Sequence, residues 1–146
     1  MSHRSTIRLS IAFFLFMPPL LLPAGAETHQ ALSLLRDSGF HRGIVVQVGC
    51  DDASGCLALH QDGKFVVQAI DRDPARFAEF REQIGAAGAN GPVSARLVQD
   101  NRLPYIDNLL NMIVVQRDLD IDRQEIMRVL RPLGIAIIRN GDGWTT

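Results

Sequence analysis

Asp71 follows directly on the apolar run Phe65-Val66-Val67-Gln68-Ala69-Ile70. A carboxylate at the end of a strand can accept hydrogen bonds from both hydroxyls of a ribose, which is how many parallel-sheet proteins hold nucleotide-type ligands. The competing reading is an aspartate that merely opens a turn before a helix. Gln47, Gly49 and Asp51 lie in and just after another apolar run, Ile44 to Val48. A glycine there lets backbone approach a ligand closely. Arg72, next to Asp71, and Asp100-Asn101, after the run that starts at Val93, complete the polar set at these run ends.

Groups able to move protons are sparse. Tyr105 follows a proline and reads as a loop anchor, and His60, late in a helical stretch, reads as a surface residue rather than a base. Cys50 and Cys56 could bridge only if their Cα atoms come within about 7 Å, so buried free thiols are the favoured reading. No Cys/His set has metal-ligand spacing. With 15 basic against 16 acidic residues the formal charge is -1. No run of like charges exceeds a pair, so nothing could neutralise a phosphate backbone and nucleic acid is excluded as a partner.

The elements that must position these residues occupy the chain after its first 26 residues. His3, Arg4 and Arg8 precede the apolar stretch Leu9 to Leu22, and Ala24-Gly25-Ala26 offers the small residues of a cleavage site. That pattern predicts a signal peptide over residues 1–26 and an exported mature chain beginning near Glu27. About fourteen apolar positions interrupted by Pro18-Pro19 fall short of a membrane span, so no stable insertion is expected after cleavage.

Residues 27–146 read as one domain of alternating helix and strand. A helix around Ala31 to Leu35 stops at Ser38-Gly39, and the first strand is Ile44 to Val48. A turn over Gly49 to Gly55 leads to a short helix at Cys56 to Leu59, and the second strand is Phe65 to Ile70. Asp73 caps the next helix, with Pro74 in its first position and Gly85 or Gly88 at its end. The third and fourth strands are Val93 to Val98 and Leu109 to Val115. Asp122 and Glu125 open the last helix, Ile121 and Ile126 form a hydrophobic staple, and Pro132 stops it before the fifth strand, Ile135 to Ile138. Strands separated by helical segments imply right-handed crossovers and a doubly wound parallel sheet.

The ordered blocks VVQVGC, VVQAIDRDP, LVQDNRLPYIDNLLNMIVV and EIMRVLRPLGIAII resemble the signature of class I S-adenosylmethionine-dependent methyltransferases, from about Gly43 to Ile138. The resemblance implies an α/β, Rossmann-like sheet of order 3-2-1-4-5, here without the family's usual terminal antiparallel hairpin. It implies S-adenosylmethionine as the cofactor, with Gly49 beneath it, Asp71 on the ribose, Arg72 beside it, and Asp100 or Asn101 near the adenine. More narrowly, GIVVQVGC, GPVS, LPYIDNLLNMIVV and GDGW look similar to the methyltransferase-like domain that precedes a pyrroloquinoline-quinone-type β-propeller in large exported planctomycete proteins. On that resemblance the chain is the amino-terminal piece of a longer protein.

The chain departs from the family pattern where the cofactor would bind. Gly49 is kept, but Asp51 and Ala53 stand at the next two glycine positions and narrow the site. Neutral Gln47 stands where many members have an acid for the cofactor's ammonium, and Asn111 replaces an aspartate at the start of the fourth strand. Three contacts weakened by about 1 kcal/mol each lower affinity roughly a hundredfold. A charged cytosolic metabolite also does not cross a bilayer unaided. Two functions remain open: methyl transfer to an unknown acceptor, or a degenerate module that binds a ligand or partner domain without turnover. A nicotinamide-dependent dehydrogenase is disfavoured by the glycine spacing.

Overall fold

The computed structural model describes residues 26–60, 63–140 and 143–146. The expected signal peptide therefore lies outside the described residues, apart from Ala26. The elements run α1 (Ala26–Asp37), β1 (Gly43–Val48), α2 (Ala53–His60), β2 (Phe65–Asp71), α3 (Pro74–Ala86), β3 (Val93–Leu97), β4 (Leu110–Val115), α4 (Arg123–Val129), β5 (Leu130–Asn140) and β6 (Gly143–Thr145).

The strands form one sheet in the order β3-β2-β1-β4-β5-β6, and the first five are parallel. This is the expected 3-2-1-4-5 arrangement. The expected absence of an antiparallel hairpin is not found. β6 returns antiparallel along Ile138, Arg139 and Asn140, and so pairs with the far end of the outer edge of β5.

Strand alternation divides the core in two. Val45, Val67 and Met112 face α1, α2 and α3, where Leu35, Leu59 and Phe80 meet them. Val46, Ile70 and Ile113 face α4 and the loop after β3, against Ile126, Val129 and Leu103. Each large aliphatic or aromatic side chain buried in this way contributes about 1.5–3 kcal/mol. These continuous apolar runs are what a strand covered on both faces requires.

The helix ends follow their local chemistry. Asp73 accepts from Ala75 N at 2.9 Å with Pro74 in the first turn, and Asp122 accepts from Gln124 N at 2.9 Å. Glu125, however, does not reach back to its own helix start. It accepts from Leu103 N at 2.8 Å and pairs with Arg128, so it anchors the β3–β4 loop to α4. The turn after β1 is shorter than expected, because α2 already begins at Ala53 and takes Gly55 into the helix. Between α4 and the regular part of β5 the register with β4 is irregular, and Leu133 there has φ 66°.

Candidate functional site

β1 lies between β2 and β4, so the chain runs one way from it through β2 and β3 and the other way through β4 and β5. The loops after β1 and β4 therefore diverge at their carboxyl ends, which is where ligands enter sheets of this kind. The site is built from the residues on these loops and from the end of β2.

Asp71 stands at the end of β2 as the sequence predicts, but its carboxylate is turned inward. It is only 2% exposed. One oxygen accepts from Cys50 N at 2.8 Å, and the other from Arg72 N at 2.7 Å and Asp73 N at 3.0 Å. A carboxylate has about four acceptor directions, so three backbone donors leave it little capacity for a ligand.

The β1–α2 loop is closed in the same way. Gly49, at φ 109°, donates to Ile70 O at 2.8 Å. Ala53 N donates to Gln83 Oε1 at 3.0 Å, and the Asp52 carboxylate accepts from Ser54 N at 2.9 Å and from the Ser54 hydroxyl. Ala53 itself is turned into the core beneath α2 and does not narrow the crevice. Gln47 is fully buried, donating to Gly49 O at 3.0 Å and accepting from Cys56 Sγ at 3.2 Å. It faces the α1–α2 side rather than the loop mouth.

Arg72 joins the ends of β2 and β3. Its Nη2 donates to Asp100 O at 3.2 Å and to Asn101 Oδ1 at 2.5 Å. Asp100 and Asn101, assigned to the adenine side, are thus brought together with Arg72, and the buried Arg72 Nε has no protein partner.

Asp51 is the centre of a cluster that the sequence did not disclose. Its Oδ1 accepts from Arg76 Nη1 at 2.8 Å and from Arg117 Nη2 at 2.5 Å. Arg76 comes from the first turn of α3, where it also pairs with Asp73 at 3.1 Å. Arg117 comes from the loop after β4 and packs over Gly49: a Cβ built on Gly49 would lie 3.3 Å from Arg117 Cβ and 3.7 Å from Asp51 Oδ2. The ion pair therefore spans the point where strand order reverses. Arg117 is not among the residues that the sequence singles out after the fourth strand. The available signal was the first cation beyond that strand.

The remaining candidates serve the fold. The Tyr105 hydroxyl donates to Gln68 Oε1 at 2.6 Å, and burial pushes its pKa up. His60 Nδ1 lies 2.6 Å from Phe65 O, at the start of β2 and so at the opposite end of the sheet from the crevice. Asn111, at the start of β4, is also at that far end, where its Oδ1 accepts from Ile44 N at 3.0 Å. Cys50 and Cys56 are buried free thiols. Burial, with Asp71 and Asp51 adding to it, pushes the Cys50 thiol up to about 12, and burial raises Cys56 as well.

A separate groove of about 530 Å³ lies on the α4 side, lined mainly by Val115, Ile121, Ile126, Leu130, Ala136 and Ile138. None of the residues chosen from the sequence lines it. Among the described residues, no group of three or more His, Cys, Asp or Glu could hold a metal, and no helix is long and apolar enough to cross a membrane.

No protein-family model and no curated protein matches the chain. Solved structures do. A structure from Methanococcus maripaludis described as an S-adenosyl-L-methionine-dependent methyltransferase aligns with TM-score 0.66 and 20% identity over 77% of this chain and 54% of its own. Geranyl diphosphate methyltransferase in complex with SAM gives TM-score 0.61 at 19% identity, over 76% and 48%. The [4+2]-cyclase SpnF gives TM-score 0.62 at 21% identity, over 76% and 43%. The chain thus spans about half the length of these structures. At such identities the likeness establishes the fold they share.

Proposed function

We propose that residues 27–146 are a degenerate class I methyltransferase-like domain that keeps a weak site for S-adenosylmethionine or a related nucleoside and does not turn it over. The observation that carries this reading is the Asp71 carboxylate, which three backbone amides occupy and which is 2% exposed. A ribose reaching it competes with bonds that also hold the β1–α2 loop in place.

The nucleoside end finds a partial fit. Asp71 keeps one acceptor direction beyond its three bonds, and Arg72 keeps one buried Nε donor facing no protein acceptor. S-adenosylmethionine, when bound, supplies an electrophilic methyl group. Among the described residues, neither acid–base candidate is placed to help: Tyr105 is committed to Gln68 and His60 sits at the other end of the sheet. The fold itself does not entail methyl transfer, since SpnF with the same fold is a [4+2]-cyclase.

The leader sequence supports export, so in our reading the mature domain works outside the cytosol, where the cofactor is scarce. The motif phrasing supports a place ahead of a β-propeller, with the domain acting as a binding module of a longer protein. Calorimetric titration of the chain with S-adenosylmethionine tests the central claim. The expected dissociation constant lies at least roughly tenfold above that of an intact site, for a ribose contact weakened by about 1–2 kcal/mol. Binding near 1 μM together with methyl transfer to any acceptor would overturn the degenerate reading; absence of binding at millimolar ligand would overturn the cofactor assignment.

A further inference from the structure

We propose that the groove on the α4 side is a self-association surface, in which a second copy of this chain seats its Leu133 and receives the first copy's Leu133 in return. The inference is independent of what the crevice above β1 binds.

Three observations converge on this face. Among the described residues α4 is the one helix that covers it, whereas α1, α2 and α3 share the opposite face of the sheet. An apolar trough of about 530 Å³ is left along α4 and β5, lined by Val115, Ile126, Leu130, Ala136 and Ile138. Beside it, β6 pairs only with Ile138, Arg139 and Asn140, so the outer edge of β5 from Ile135 to Ile137 has no strand partner among the described residues.

The third observation is Leu133, which sits between α4 and the regular part of β5, next to the groove residues Gly134 and Ile135. It is 90% exposed at φ 66°. The backbone beneath it is closely packed, since a Cβ on Gly134 would lie 2.8 Å from Arg131 O and 3.0 Å from Leu130 Cδ2. The fold thus holds a large apolar side chain outward, in a conformation that glycine or asparagine adopts with less strain, and buries almost none of it. Strain of this kind collects at binding and switching surfaces. Met127, also largely exposed, belongs to the same groove.

Knob and groove lie on one face of one chain, which favours a second copy as the occupant. A two-fold axis lets each leucine enter the other chain's groove, uses both features at once and closes at two chains. Charge supports the same symmetry. The groove carries Asp118, from the loop after β4, and Arg123, the first residue of α4. Opposite signs on one face are self-complementary, with Asp118 of each copy meeting Arg123 of the other, and a net charge of -1 per chain adds little repulsion. A patch this small belongs with weak, reversible encounters that bury less than about 1,200 Å², so single chains prevail at micromolar concentration.

Sedimentation velocity tests this on the full chain and on the chain from Glu27, which holds every described element except the first residue of α1. Between about 10 μM and 1 mM both should pass from monomer to dimer, with a dissociation constant on the order of 100 μM. Leu133→Gly should weaken pairing at least about tenfold. Its melting temperature at micromolar protein should not fall, which separates lost association from lost folding. Asp118→Arg and Arg123→Asp should each weaken pairing, and an equimolar mixture of the two should restore it, because every like-charge contact becomes an opposite-charge one. A monomer throughout, pairing unchanged by Leu133→Gly, or a mixture no better than its components overturns the inference. Species that grow beyond dimers overturn the two-fold arrangement in favour of a head-to-tail contact. Association confined to the full chain overturns it in favour of the apolar leader.

Discussion

The side chain of Asn111 occupies the space that a Cβ on Gly43 would need, and its Oδ1 holds Ile44 N at 3.0 Å. The start of β4 is thereby fastened to the start of β1 by a side chain rather than by strand pairing. Gly43→Ala should destabilise the domain by about 1–3 kcal/mol through overpacking, and Asn111→Ala by about 1–2 kcal/mol through the orphaned amide. The double variant should cost clearly less than the sum, because the added methyl then has room. Urea unfolding of the four proteins measures this; strict additivity would show that the two residues do not share that space.

Asp71→Ala removes the acceptor of three backbone amides and should lower stability by about 3 kcal/mol or more. Asp51→Ala, which breaks only half-exposed ion pairs, should change it by less than about 1 kcal/mol. Equilibrium unfolding separates the two, and equal effects would show that the inward carboxylate is not holding the loop.

Glu125 accepts from Leu103 N and from Arg128, and the Arg128 bond holds its carboxyl below the usual carboxylate range. A depressed folded-state pKa gives stability that is present above the ordinary glutamate range and lost as pH falls through the folded value. Glu125→Gln should therefore be less stable than the parent by about 1–2 kcal/mol at neutral pH, with the gap closing in acid. A gap independent of pH would remove the ionised carboxylate from the account.

Both thiols should resist modification in the folded chain. The Cys50 thiol is raised from 9.0 to about 12, so at mildly alkaline pH its thiolate is scarce and its sulfur is covered. Between those two values the unfolded chain releases a proton that the folded one keeps, so stability falls as pH rises through this window. Aromatic disulfide reagents should label both cysteines rapidly in concentrated guanidinium and only slowly under native conditions. Rapid native labelling of either would contradict the burial described.

Leu133 is 90% exposed and holds φ 66°, a conformation costly for a branched side chain. Leu133→Gly should raise stability by about 1 kcal/mol, seen as a higher melting temperature. A fall would mean that the leucine makes contacts that outweigh its backbone strain.

The layout of the domain was legible because each element carries its own grammar. The β-branched runs at Ile44, Phe65 and Leu110 announce covered strands, and Asp73-Pro74 and Asp122 announce helix starts. The site was legible only in position. Asp71 was placed correctly at the end of β2, but its direction is set by the amides of Cys50, Arg72 and Asp73, which no sequence pattern records. Glu125 has capping-box spacing, yet the amide of Leu103 takes its carboxylate first. Arg117 joins Asp51 across 66 residues, and pairing at that range follows from strand order, not from local spacing. β6 was missed because a three-residue strand has too short a pattern to read.

The central position of β1 also has a temporal consequence. Its pairing with β2, and that of β2 with β3, need only residues up to 97, and so can be completed while the rest of the chain is still being synthesised. Its other neighbour begins at Leu110, and β5 later still, so half of the sheet must be added to an existing half from the opposite side. Closing so long a loop carries the larger entropic cost. The gap between the β1 and β4 loops therefore exists only once β4 has paired with β1, which requires chain beyond everything the β3-β2-β1 half of the sheet needs.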